Sequence, residues 1–145
     1  VLVFFCLRHK EFDEPMDGIV YGVTVSLGFA TLENVLYVMD HGLMNAFLRA
    51  FTAVPAHALT GAIMGYYVGQ TLNSPENKGH LLMLAFIVPV ALHGAYDFPL
   101  MAMSAGAGNT VTMMLAFILV VILDWILALQ FRKKLRQEQR RVVVR

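Results

Sequence analysis

The sequence predicts an all-α fold: a polytopic transmembrane helical bundle of about four spanning helices plus the end of a preceding one. Two observations predict it. Of the 145 residues, 58% are hydrophobic and only 14% are charged, and the mean hydropathy of +0.64 lies well above that of soluble domains. The apolar residues also fall in blocks of roughly 20, the length a helix needs to cross the hydrocarbon layer, with short polar stretches between them. In lipid each segment must satisfy its own backbone hydrogen bonds, and a helix does so. The chain therefore reads as one integral-membrane domain, 1–145, with the lipid bilayer as its solvent.

Residues 1–7 are too short to span a membrane or to make a complete signal peptide, and Val1 is not an initiator methionine. They are expected to be the end of an upstream helix, which makes the chain a fragment. Arg8-His-Lys-Glu-Phe-Asp-Glu14 is a polar loop, and Pro15 suits the first turn of a helix. Spanning helices are expected over 16–39, 46–72, 80–103 and 110–131, followed by a basic cytoplasmic tail over 132–145.

Two of these segments carry small residues at every fourth position: Gly18, Gly22, Ser26, Ala30 and Asn34 in the first, Ala53, His57, Gly61, Gly65 and Gly69 in the second. Such seams let helix backbones approach closely. Asp40-His-Gly-Leu-Met-Asn45 is expected as the turn between them. Pro55, inside the second segment, removes a backbone donor and invites a kink.

Lysine and arginine set the orientation. With the tail cytoplasmic, alternation places Arg8, Lys10 and Lys78 on the same side and leaves Arg49 to the other. A multi-pass protein of the cell (inner) membrane with a cytoplasmic C-terminus follows. The strong basic cluster is confined to the tail and the net charge is +1, so a nucleic-acid partner is not expected. Cys6 is the single cysteine, which excludes an internal disulfide.

The candidate site begins at Glu33-Asn34, an acid and an amide inside a spanning segment. An ionisable group in hydrocarbon costs about 2.5–3.5 kcal/mol on insertion scales and marks function by default. At about 100° per residue Glu33 projects between Gly22 and Ser26, on the small-residue face. At about 1.5 Å per residue, Glu33 and Asp97 lie roughly 9 Å from the outer ends of their helices, and His57 and His93 roughly 15 Å in. Four polar groups on three helices thus share one depth. Glu33 has a bland alternative, an interhelical hydrogen bond with Asn34 or Arg49. His57 has one in a carbonyl freed by the proline kink, and His93 and Asp97 in a plain i,i+4 pair. Asp124 lies in the other half of its helix and reads as a hydrogen-bonding or snorkelling acid. A Glu/His/His/Asp set supports two chemistries: a divalent metal, zinc or another, held by His57, His93 and Glu33, or a glutamate that activates water directly.

The residues then resemble a known family. Asp13-Glu-Pro-Met-Asp-Gly-Ile-Val-Tyr-Gly22, Gly28-Phe-Ala-Thr-Leu-Glu-Asn-Val-Leu-Tyr37, Pro55-Ala-His57 and His93-Gly-Ala-Tyr-Asp97 are similar to the PrsW intramembrane proteases, which are related to the CAAX-prenyl endopeptidase superfamily. The resemblance implies a peptidase that makes the first cut in a membrane-anchored anti-sigma factor, on the extracytoplasmic side, with a single-span membrane protein as substrate. It implies catalytic roles for Glu33, His57, His93 and Asp97, with Asn34 and Arg49 in support. The family's first motif, paired glutamates followed by a basic residue, is absent from this sequence; Glu11, Glu14 and Glu76 do not fit it. Truncation is expected to account for that absence better than divergence does, and this fragment alone is expected to be inactive. Two other readings stay open at this stage, a proton- or ion-coupled transporter and a non-catalytic membrane scaffold.

Overall fold

The computed structural model describes residues 9–143, with side chains through Phe131 and at Lys133 and Arg136. The upstream helix end expected at 1–7, Cys6 and Arg8, and most side chains of the basic tail, lie outside the described residues. The described chain is helical: α1 (Pro15–His41), α2 (Leu43–Phe51), α3 (Ala53–Asn73), a short 3-10 turn (Pro75–Asn77), α4 (Lys78–Ser104) and α5 (Thr110–Val143). The segments Pro15–His41, Pro75–Ser104 and Thr110–Phe131 are each long and apolar enough to cross a membrane. The α2–α3 pair adds a fourth if it counts as one bent span.

The helices begin where local chemistry starts them. Pro15 opens α1, and the Asp17 carboxylate turns back to accept from the backbone N–H groups of Asp13 and Glu14 at 3.2 and 2.9 Å. These donors would otherwise go unsatisfied at a helix start. Asn109 does the same for α5, its Oδ1 accepting from Val111 and Thr112 at 2.9 and 3.3 Å. The turn expected over 40–45 shrinks to Gly42, whose φ of 77° suits a residue without Cβ, and α2 starts directly after it.

Two expectations need correction. The second segment is not one kinked helix; it breaks at Thr52, and α2 and α3 bend by 44° there. A proline cannot donate to the carbonyl four residues back and its ring crowds that carbonyl. For Pro55 that carbonyl belongs to Phe51, so the helix yields upstream of the proline, and Pro55 sits in the first turn of α3. By contrast, α4 runs unbroken through Pro89 and Pro99. The last apolar segment does not end in a separate tail. Its helix continues to Val143, because arginine, lysine, glutamine and glutamate are good helix formers outside lipid as well. Asp124 is buried, which sets the snorkelling reading aside, and its Oδ2 has no partner among the described residues.

The chain divides into two compact units, one ending at Asp97 and one starting at Phe98. In the first, α1 and α3 pack along the two small-residue seams. A Cβ added to Gly22 would stand 2.9 Å from Gly65 Cα, and one added to Gly65 would stand 2.7 Å from Ile19 Cα, so the backbones themselves are in contact. Ser26 Oγ continues the seam by donating to the main-chain carbonyl of His57 at 2.7 Å. Near the start of α1, Phe12 is buried with Val68 and Ala85 and stacks on Tyr21 at 6.0 Å. This small apolar knot ties the loop before α1 to α3 and α4. The second unit holds the end of α4 and α5. Val20, Phe29, Leu36 on α1 and Leu115, Ile118, Leu119 on α5 are exposed, as befits helices solvated by lipid.

Candidate active site

The α1–α3 seam runs antiparallel and delivers Glu33, late in α1, to His57, early in α3. Glu33 Oε2 lies 2.9 Å from His57 Nε2. The break at Thr52 lets α2 lean back over α1, and Arg49 donates from Nη2 to the same Glu33 oxygen at 2.6 Å. Its Nε donates to Asn34 Oδ1, also at 2.6 Å, and its guanidinium lies 4.0 Å from the Tyr37 ring centroid. Phe29, one turn before Glu33, covers the His57 ring at 5.7 Å.

Helix α4 supplies the third member. The His93 and His57 rings are 5.0 Å apart between centroids. His93 Nε2 lies 3.1 Å from Asp97 Oδ2, one turn along the same helix. A second tie joins α4 to the helix break: Tyr96 OH donates to Thr52 Oγ1 at 2.9 Å, and Thr52 Oγ1 donates to Leu48 O at 3.1 Å.

These contacts assign the ring nitrogens. A carboxylate only accepts, so each histidine turns an Nε2–H toward its acid, and in the neutral ring Nδ1 keeps the lone pair. Among the described residues, both hydrogen bonds to the Glu33 carboxylate fall on Oε2. The chain thus presents two imidazoles and one carboxylate, each already oriented by a neighbour, as outer-shell partners orient ligands in metal sites.

One donor atom from each of Glu33, His57 and His93 lies within 4.8 Å of the others. Tetrahedral donors about 2.1 Å from a zinc ion stand about 3.4 Å apart, so side-chain shifts of about an ångström close the set around a cation. Two histidines with one glutamate and an open fourth position is a catalytic zinc arrangement. The donor set fits a divalent metal. Asp97 is not part of this group; it stands behind His93. Asp124 belongs to the second unit and is not part of it either.

Of the residues singled out from sequence, Glu33, His57 and His93 converge, Asp97 orients one of them, and Asn34 and Arg49 hold Glu33. Sequence reasoning passed over Ser26 as a hydrogen-bond donor, Tyr37, and the Tyr96–Thr52 tie. Ser26 already stood on the small-residue seam of α1, a signal that could have found it. The Tyr96–Thr52 tie depends on the helix break and had no such signal.

Comparison with known proteins gives a consistent result. The model of the family described as "PrsW family intramembrane metalloprotease" matches residues 1–125. The chain is 45% identical over 137 residues to Protease PrsW of Bacillus subtilis (strain 168), covering 94% of this chain and 60% of that protein. It is 48% identical over 102 residues to Protease PrsW of Geobacillus kaustophilus (strain HTA426), covering 70% of this chain and 45% of that protein. With Protease PrsW of Clostridioides difficile (strain 630) the identity is 36%, over 70% of this chain and 45% of the relative. The chain thus spans about half to three-fifths of the length of these relatives. No solved structure matches. With the family match running through α1, α3 and α4 and taking in Glu33, His57, His93 and Asp97, the chain belongs to the PrsW family of intramembrane metalloproteases.

Proposed function

We propose that this chain carries most of the active site of an intramembrane endopeptidase, the activity belonging to a longer protein that also supplies the paired glutamates. The observation that carries the reading is the convergence of Glu33, His57 and His93, from three different helices, within 4.8 Å inside a membrane-spanning bundle. Hydrolysis of a peptide in a membrane requires water and polar groups gathered where lipid excludes both, and this cluster gathers them.

Glu33, His57 and His93 would hold the divalent metal. When bound there, it polarises a peptide carbonyl and makes water a nucleophile near neutral pH. The protein's own part is to fix the ligands: Arg49 and His57 hold Glu33 Oε2, Asp97 holds His93, and Ser26 holds the His57 backbone. Resemblance to the family supports paired glutamates, outside the sequence given, as the general base. Resemblance to the family supports a single-span, membrane-anchored anti-sigma factor as substrate, cut first on the extracytoplasmic side. A cytoplasmic C-terminus, supported by the lysine and arginine distribution, puts the cluster in that half of the membrane.

The test is cleavage of a single-span membrane substrate by the longer protein in liposomes. Cleavage is expected with wild type, lost in Glu33→Gln, His57→Ala and His93→Ala, lost on chelation, and restored by zinc. Undiminished cleavage by Glu33→Gln and His57→Ala overturns the assignment.

A further inference from the structure

We propose that Arg49 is a positioning residue of this site: it clamps Glu33 so that Oε2 is committed to the protein and Oε1 is the oxygen left for a metal ion or water. The inference rests on the protease reading above and adds a residue to it.

Helix α2 is built inside out. Leu43, Met44, Phe47, Leu48 and Phe51 are exposed, while Arg49 is buried, with 7% of its surface accessible. An arginine on a short, lipid-facing helix ordinarily snorkels toward water. This one turns inward, and its polar contacts go to one turn of α1: Asn34 through Nε, Glu33 through Nη2, and the face of Tyr37.

The geometry uses what a guanidinium alone offers. Nε and Nη2 lie on one edge of a rigid plane, and two adjacent residues of α1 read that edge, each at 2.6 Å. The aromatic face 4.0 Å from Cζ restrains the plane. Asn34 anchors the arginine, and the arginine in turn fixes the carboxylate. A lysine has a single nitrogen on a flexible stem and cannot occupy both acceptors in that fork. The clamp also bears on His57, whose Nε2 shares Oε2 with Arg49. Without Arg49 the carboxylate is free to rotate about its last bond, and the His57 ring loses a fixed acceptor.

The test uses the longer protein in liposomes with a single-span substrate, and measures kcat, KM and zinc affinity by chelator competition. Arg49→Lys and Arg49→Met are each expected to lower kcat and zinc affinity by roughly 10- to 100-fold, the range seen when the outer partner of a ligand is removed. KM should change little. Asn34→Ala keeps the charge pair and removes only the anchor, so it should lower kcat by less than Arg49→Met. Arg49→Met combined with Glu33→Gln should bind zinc no more weakly than Glu33→Gln alone, because the arginine acts through that glutamate. Wild-type kcat and zinc affinity in Arg49→Lys overturn the clamp, and an inactive Glu33→Gln beside it leaves the protease reading standing. A fully active Glu33→Gln overturns that reading and the clamp with it.

Discussion

Arg49 Nη2 stands 2.6 Å from Glu33 Oε2, and the two side chains are only 8% and 19% accessible. Removing one member of a buried ion pair leaves the other charge unpaired, which costs about 3–5 kcal/mol, whereas replacing both with neutral groups of similar shape costs far less. Glu33→Gln and Arg49→Met should therefore each destabilise the protein by about 3 kcal/mol, with the double variant more stable than either single one. Unfolding in mixed micelles measures this. Additive losses in the double variant would show that the two charges act independently.

The α1–α3 seam gives a prediction about packing alone. A methyl group at Gly65 meets the backbone of Gly18 and Ile19, where no flexible side chain can move aside. Forcing extra atoms into a filled interface costs typically 1–3 kcal/mol. Gly65→Ala should destabilise at the upper end of that range and, by parting α1 from α3, separate Glu33 from His57. Gly28 has open space around its Cβ position, so Gly28→Ala should match or exceed wild-type stability, given the better helix propensity of alanine. Equal behaviour of the two variants in a thermal melt would contradict the seam.

Much of this arrangement was legible in the sequence because helix geometry is local. Four-residue steps of small residues mark a close-packed face whatever surrounds it, and they placed Glu33 and His57 on the two faces that meet. Arg49 could be named from the sequence as a partner of Glu33, but the separate helix α2 that turns it inward was not legible, since it depends on the break at Thr52. Phe12, in a stretch otherwise polar, looked like loop and is core, because burial depends on what packs over a residue and not on its neighbours in sequence. Asp124 is the same lesson for a charge: hydropathy locates an acid along a helix but not the side it faces.

The break at Thr52 should itself be a functional feature. Pro55 forces the helix to yield near Phe51, and the resulting 44° bend brings Arg49 over Glu33. Pro55→Ala restores a backbone donor and removes the ring that crowds the Phe51 carbonyl, which favours a continuous α2–α3 helix. The expected outcome is unchanged or raised thermal stability with cleavage reduced roughly tenfold, the size of effect that loss of an outer-shell contact produces. Kinetics and a melt on the same preparation check both halves; wild-type cleavage would mean that the bend does not matter.

Asp97 offers the sharpest distinction between a ligand and its support. It stands one turn from His93 with Oδ2 3.1 Å from Nε2, and it lies outside the three-residue donor group. An asparagine there still accepts the Nε2–H through its amide oxygen, keeping the ring orientation, but it loses the negative charge that strengthens Nδ1 as a metal ligand. If Asp97 only supports His93, Asp97→Asn should weaken zinc affinity by roughly 10- to 100-fold while the protein still binds one metal ion per site. His93→Ala, which deletes a donor outright, should cost substantially more. Both affinities come from competition against a chelator of known strength. Equal losses in the two variants would show that Asp97 contributes a donor atom itself.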